Sequence, residues 1–137
     1  MTPNATAAAS LLPPERSHTI LVIDDDLAMR TILSFTLAAF GYLPLVAGNG
    51  EEALQIARDH PEIGVVILDV VMPGLSGKKL ADQLRINLPG VGVLFCSGHP
   101  PEIMSFHGID LSSDHFMQKP CGAPELERKL EELIAAR

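Results

Sequence analysis

The sequence predicts a doubly wound α/β domain: a five-stranded parallel sheet with helices on both faces. Three observations predict it. Short apolar runs, Ile20-Leu21-Val22-Ile23, Val65-Val66-Ile67-Leu68 and Val91-Gly92-Val93-Leu94-Phe95, have the length and branching of buried strands. Apolar residues at helical spacing fill the segments between them. Strands that alternate with helices return to one parallel sheet by crossovers of fixed hand.

Each element has its own signal. The first strand is predicted over 19–23 and runs into Asp24-Asp25-Asp26. The following helix is predicted over 27–40, with Asp26 as N-cap, Gly41 as the C′ residue and Leu27, Ile32, Leu33, Leu37 and Phe40 as its apolar set. A short second strand spans 43–47. The second helix spans 50–59, with Asn49 as its cap and Ala53, Leu54, Ile56 and Ala57 facing inward. The third strand, 65–68, delivers Asp69 just before the turn sequence Met72-Pro73-Gly74. Ser76 is the expected N-cap of a third helix that stops before Pro89-Gly90 and buries Leu80, Ala81 and Leu84. The fourth strand, 91–96, ends beside Ser97. A short helix near 101–106, then a loop with Gly108 and Ser112-Ser113, precedes a fifth strand at 115–118. That strand leads into Lys119-Pro120. A last helix over 124–135 carries Leu126, Leu130, Leu133 and Ile134 on its apolar side.

Composition bounds the function. At 137 residues the chain fits one domain, expected over 18–137 behind a flexible Ala/Pro/Thr/Ser-rich leader at 1–17. With 47% hydrophobic residues and no Trp, the core must be aliphatic. A net charge of −7 without a Lys/Arg run speaks against a nucleic-acid surface. Cys96 and Cys121 are too few for a disulfide scaffold or a zinc site, and Cys96 reads as a reduced core thiol. No apolar run is long enough to span a membrane and no signal peptide is read, so the expected compartment is the cytoplasm.

The strand ends carry the chemistry. Parallel strands bring their carboxyl ends to one edge, where open α/β sheets bind ligands, so Asp24, Asp25, Asp69, Ser97 and Lys119 should converge. Gathered carboxylates ionise together only if a cation shares the site, and hard oxygen donors favour Mg²⁺ or Mn²⁺ over zinc. A lysine and a hydroxyl beside them can balance the spread charge of a phosphoryl group in transfer to a carboxylate nucleophile.

These pieces, ILVIDDD, VVILDVVMPGLSG, VLFCSG and FMQKP in this order and spacing, resemble the response-regulator receiver domains of two-component signalling over about residues 18–135, a flavodoxin-like fold. The resemblance implies that Asp69 accepts the phosphoryl group. It implies a metal site of Asp25 (direct ligand), Asp24 (through water), Asp69 and the Val71 carbonyl. It makes Ser97 the hydroxyl that reports phosphorylation, Lys119 the invariant lysine, Lys119-Pro120 a cis peptide, and Phe116 the switch aromatic. The implied donor is a phosphohistidine on a histidine kinase or histidine phosphotransfer protein, with output through a downstream protein contact or a phosphorelay hop. The mixed charges of the last helix permit a monomer or a weak phosphorylation-dependent dimer. Ser97 stands where Thr is commoner, and Phe116 cannot hydrogen-bond as Tyr would. The stretch LFCSGHPPEIM looks most like receivers of hybrid histidine kinases, and with nothing after Arg137 the chain reads as a stand-alone receiver.

Two other readings compete. A haloacid-dehalogenase-like phosphatase would use Asp24 and Asp26 in its Asp-x-Asp motif, but Leu27-Ala28 follow where Gly-Thr or Gly-Val is expected, and Asp69 would have no task. A pseudo-receiver would only bind partners, against which stands the complete acid, hydroxyl and lysine set.

Overall fold

Every apolar run forms a strand, and the segments between them coil as their spacing demands. The computed structural model describes residues 18–72, 76–100, 108–109, 115–119 and 122–135. The expected leader at 1–17, the Pro73-Gly74 turn, the short helix at 101–106, Ser112-Ser113, Pro120 with its peptide bond, and Cys121 lie outside those residues. Along the chain come β1 (Thr19–Ile23), α1 (Leu27–Ala39), β2 (Leu43–Ala47), α2 (Gly50–Asp59), β3 (Val65–Asp69), α3 (Gly77–Asn87), β4 (Gly92–Ser97), β5 (His115–Gln118) and α4 (Ala123–Ala135). The strands are parallel in the order β2-β1-β3-β4-β5. This is the doubly wound sheet of the flavodoxin-like receiver fold. The order reverses between β1 and β3, and there a crevice opens at the carboxyl edge.

Side chains alternate across the sheet and divide the core in two. Leu21, Ile23, Val66, Leu68, Val93 and Phe95 pack with Ala53 and Ala57 of α2 and Leu80, Ala81 and Leu84 of α3. On the opposite face Ile20, Val22, Val65, Ile67, Leu94 and Cys96 pack with Leu33 and Leu37 of α1 and Leu126, Leu130 and Leu133 of α4. Cys96 is the buried free thiol that its strand implied. β1 and β3 are buried along their whole length because they are central and covered on both faces. β2 is a marginal strand, partly exposed, with Pro44 opposite Ile20.

Caps fix the helix starts. Asp26 accepts from the Ala28 N–H, and Asn49 accepts from the Glu52 N–H while the Glu52 carboxylate accepts from the Gly48 N–H, one residue before the cap. α1 ends at Ala39, one residue sooner than its pattern predicts, with Phe40 as C-cap, and Gly41 follows with φ +93°, a conformation that suits glycine. Ser76 stands at the N-cap of α3, but its hydroxyl makes no capping bond.

One expectation is corrected. Leu27 and Ile32 of α1 do not join its inner stripe; both are exposed. At about 100° per residue they fall roughly 120° and 100° round the helix from Leu33, whereas Met29, Leu37 and Phe40 lie close to it.

Candidate functional site

Asp24 leaves β1 and Asp69 ends β3, on neighbouring strands at the reversal point. Both are buried, 2% and 8% exposed, and Ser97 at the end of β4 is fully buried. Lys119, just past β5, reaches across β4 and β3: its Nζ lies 2.6 Å from Asp24 Oδ2 and 3.3 Å from Asp69 Oδ2. Its main-chain N–H is tied to the Ser97 carbonyl at 2.7 Å, which holds the lysine at the site. Asp25 is exposed, yet it shares with Asp24 and Asp69 a cluster whose ligand oxygens all lie within 4.8 Å of one another. All five residues expected at the carboxyl edge are therefore at that edge.

Backbone bonds set the remaining geometry. The Asp26 N–H donates to Asp24 Oδ1 at 2.9 Å, the Val71 N–H to Asp69 Oδ1 at 3.2 Å, and the His99 N–H to the Ser97 hydroxyl at 3.0 Å. Val71 is thus at the site through its own amide. Phe116, half-buried on β5 opposite Phe95, packs against the α2/α3-side core. Asp26 is exposed and its carboxylate serves as the α1 cap, so it is not offered to a second catalytic acid's task.

Electrostatics follow from this crowding. Burial pushes the Asp69 carboxyl above the ordinary aspartate range; the Lys119 charge pulls it down, Asp24 pushes it up, and the rise prevails. For Lys119, burial alone would lower its value, but the hydrogen bond from its ammonium to Asp24 and the charges of both carboxylates outweigh that and raise it. Three carboxylates face one ammonium, a surplus that a divalent cation would neutralise. The donors fit Mg²⁺: all are hard oxygens, one carboxylate opens to water, and two ligands of one octahedral Mg²⁺ lie about 3–4 Å apart.

Two features escaped sequence reasoning. Arg30 Nη1 donates to the Asp24 carbonyl at 2.8 Å. Beside it, a groove of about 330 Å³ runs between α1 and β2, lined by Leu27, Arg30, Thr31, Ser34, Phe35, Ala38 and Val46, with Phe35 75% exposed. The off-stripe apolar residues of α1 were the available signal for the groove. A helical arginine carries no such signal.

A doubly wound sheet with an acid-and-lysine pocket where the strand order reverses defines a signalling module rather than a classical enzyme. The chain belongs to the response regulator receiver domain family, whose model matches residues 20–131. It is 34% identical over 116 residues to the response regulator MprA of Mycobacterium leprae, covering 84% of this chain and 50% of that protein. The chain spans about half the length of the curated relatives it matches. Among solved structures it resembles the receiver domain of the hybrid histidine kinase CckA, with 32% identity, a TM-score of 0.72, and coverage of 85% of this chain and 98% of that one. It also resembles the chemotaxis protein CheY4 of Vibrio cholerae, with 25% identity, a TM-score of 0.74, and coverage of 84% and 97%. No helix of the described residues is long and apolar enough to cross a membrane.

Proposed function

We propose that this receiver takes a phosphoryl group from the phosphohistidine of a histidine kinase or histidine phosphotransfer protein onto Asp69, in a Mg²⁺-dependent reaction. The single observation that carries the reading is the Lys119 ammonium bridging Asp24 and Asp69 at the crevice. Aspartate becomes a nucleophile when its attacking oxygen is held in place and the incoming charge is met. In the transfer the phosphorus–nitrogen bond to the donor imidazole breaks and a phosphorus–oxygen bond to Asp69 forms. The Val71 N–H steadies Oδ1, leaving Oδ2 beside Lys119 as the attacking atom. Lys119 then faces the new phosphoryl oxygens, and the Ser97 hydroxyl has a proton to donate to one of them. Asp24, Asp25, Asp69 and the Val71 carbonyl would hold the metal, which supplies charge neutralisation on the phosphoryl oxygens when bound. Water later cleaves the acyl phosphate and resets Asp69.

The receiver unit is assigned to 18–137, in line with β1 opening at Thr19 and α4 running to Ala135. Phosphorylation would bias a two-state surface near β5, with Phe116 acting by packing, and pass the signal to a protein target or to the next relay member. The phosphohistidine donor is assigned to the α1/β2 groove, because Leu27, which lines it, directly follows the acidic loop, so a carrier seated there lies beside the strand-end site.

Intact mass after incubation with acetyl phosphate and Mg²⁺ tests the reading. One added phosphoryl group is expected, lost on chelation and in Asp69→Asn. No added mass from acetyl phosphate or from a phosphorylated histidine phosphotransfer protein would overturn it and leave a binding module. Phe35→Ser should keep acetyl phosphate labelling while slowing transfer from the protein donor about tenfold, the cost of one aromatic anchor of roughly 1.4 kcal/mol.

A further inference from the structure

Asp25 is the exposed member of the acidic cluster, and its placement rests on the peptide planes on either side of it. A peptide unit is rigid, so holding one polar atom of each plane narrows the dihedrals open to the residue between them. The plane after Asp25 is pinned where the Asp26 N–H meets Asp24 Oδ1 at 2.9 Å. The plane before it contains the Asp24 carbonyl, which accepts from Arg30 Nη1 at 2.8 Å. Sheet pairing of β1 ends at Ile23, and the Asp24 N–H is bound to Ala47 on the β2 side. The strand ladder therefore leaves this carbonyl to the guanidinium. The Arg30 side chain is seated over Gly48, where an added Cβ would come within 2.8 Å of Nη1. An added Cβ at 48 would push the guanidinium aside without straining the backbone, since the φ of Gly48 is not positive.

We infer that Arg30 is a positioning residue: from the first turns of α1 it holds the Asp24 carbonyl, and through that peptide it aims the Asp25 carboxylate at the cation site. The inference rests on the reading of Asp24, Asp25 and Asp69 as a Mg²⁺ site. A fixed arginine on a backbone carbonyl acts on the ligand's geometry rather than on the phosphoryl group, so its loss should weaken metal binding and leave the chemical step intact once metal saturates.

Mg²⁺ titrations of the ¹⁵N-labelled full chain, read from the amide shifts of Asp25, Asp26 and Val71, provide the test, with melting temperature followed alongside. Arg30→Met, which keeps the stem and removes the donor, should weaken Mg²⁺ binding about tenfold, the scale on which supporting groups act on metal ligands. Its acetyl phosphate labelling rate should return to the native value at saturating Mg²⁺. Arg30→Lys should recover most of the affinity, and Gly48→Ala, which displaces the guanidinium while leaving Arg30 in the chain, should lose affinity between the two. Arg58→Met, at an exposed arginine of α2 that meets Gln55 and lies outside the acidic cluster, should match the native chain. Mg²⁺ binding by Arg30→Met as tight as native, or a labelling deficit that persists at saturating Mg²⁺, overturns the inference and leaves the function standing. If Arg30→Met fails to fold, Arg30→Lys and Gly48→Ala decide by the same comparison. A native chain that binds no Mg²⁺ at millimolar concentration overturns the site reading and this inference together.

Discussion

The crevice has a floor and a rim built from nearly the same side chains. On the floor, Asp24, Asp69 and Ser97 are buried and Lys119 lies among them. On the rim, Asp25, Asp26 and His99 face water. Three consecutive aspartates thus do three jobs. Asp24 anchors a lysine from the far side of the sheet, Asp25 offers an open oxygen, and Asp26 caps a helix. Residue type alone does not separate them. Burial does, because it sets what each charge costs and therefore what each must be paired with.

Removing the floor's cation should give the largest effect. Lys119→Met leaves two buried carboxylates facing each other, and we expect a loss of about 2–3 kcal/mol in urea unfolding at neutral pH, below the range for fully buried pairs because the lysine retains some solvent contact. A smaller loss would mean the floor is wetter than its geometry implies. Next comes the rim ligand: Asp25→Asn should cut Mg²⁺ affinity about tenfold by calorimetry while stability without metal moves by less than about 0.5 kcal/mol. A large stability change would erase the distinction between rim and floor. Asp26→Ala should cost about 1 kcal/mol of stability, the scale of a lost N-cap, with acetyl phosphate labelling unchanged; Asp26→Asn, itself a good cap, should cost little.

The smallest effect concerns pH, and it sharpens the contrast. Burial raises the Asp69 value in the fold, so the native chain holds this proton more readily than the unfolded chain. Stability then falls as pH rises from the ordinary value of 3.8 through the folded value, and the cost stays in place above it. Asp69→Asn escapes the cost. Without metal it should melt slightly above the native chain at pH 7, with the gap closing below pH 3.8, and Mg²⁺ should reverse the order by stabilising only the native chain. Lys119 has the same sign in a higher window: its contribution is present below 10.5 and is lost as pH rises through its elevated folded value.

The fold was legible where punctuation is strong. β2, α2 and β5 have the predicted bounds because Gly, Asn and Pro stand at their ends. β4 runs one residue later than predicted, since the Val91 N–H turns back to the Leu88 carbonyl while Ser97 goes on to pair with Gln118. β3 takes in Asp69, which pairs with Cys96. The convergence of Asp24, Asp25, Asp69, Ser97 and Lys119 was legible because strand ends share an edge whatever their distance in sequence. Arg30 was not, because its partner is a main-chain carbonyl six residues back that any sequence would supply. Nor was the groove: Leu27, Phe35 and Val46 have the composition of core, and only their angular positions turn them to solvent.

Pro44 bears on a different property, solubility. The Leu43 N–H and the Ala47 carbonyl both point toward β1, so alternation turns the main-chain groups of Pro44 and Val46 to the outside of the sheet. Proline has no N–H to show there. The sheet gives up nothing inside, while an invading strand meets a gap in the ladder it would copy. At this margin the molecule carries its own stop against strand-by-strand growth.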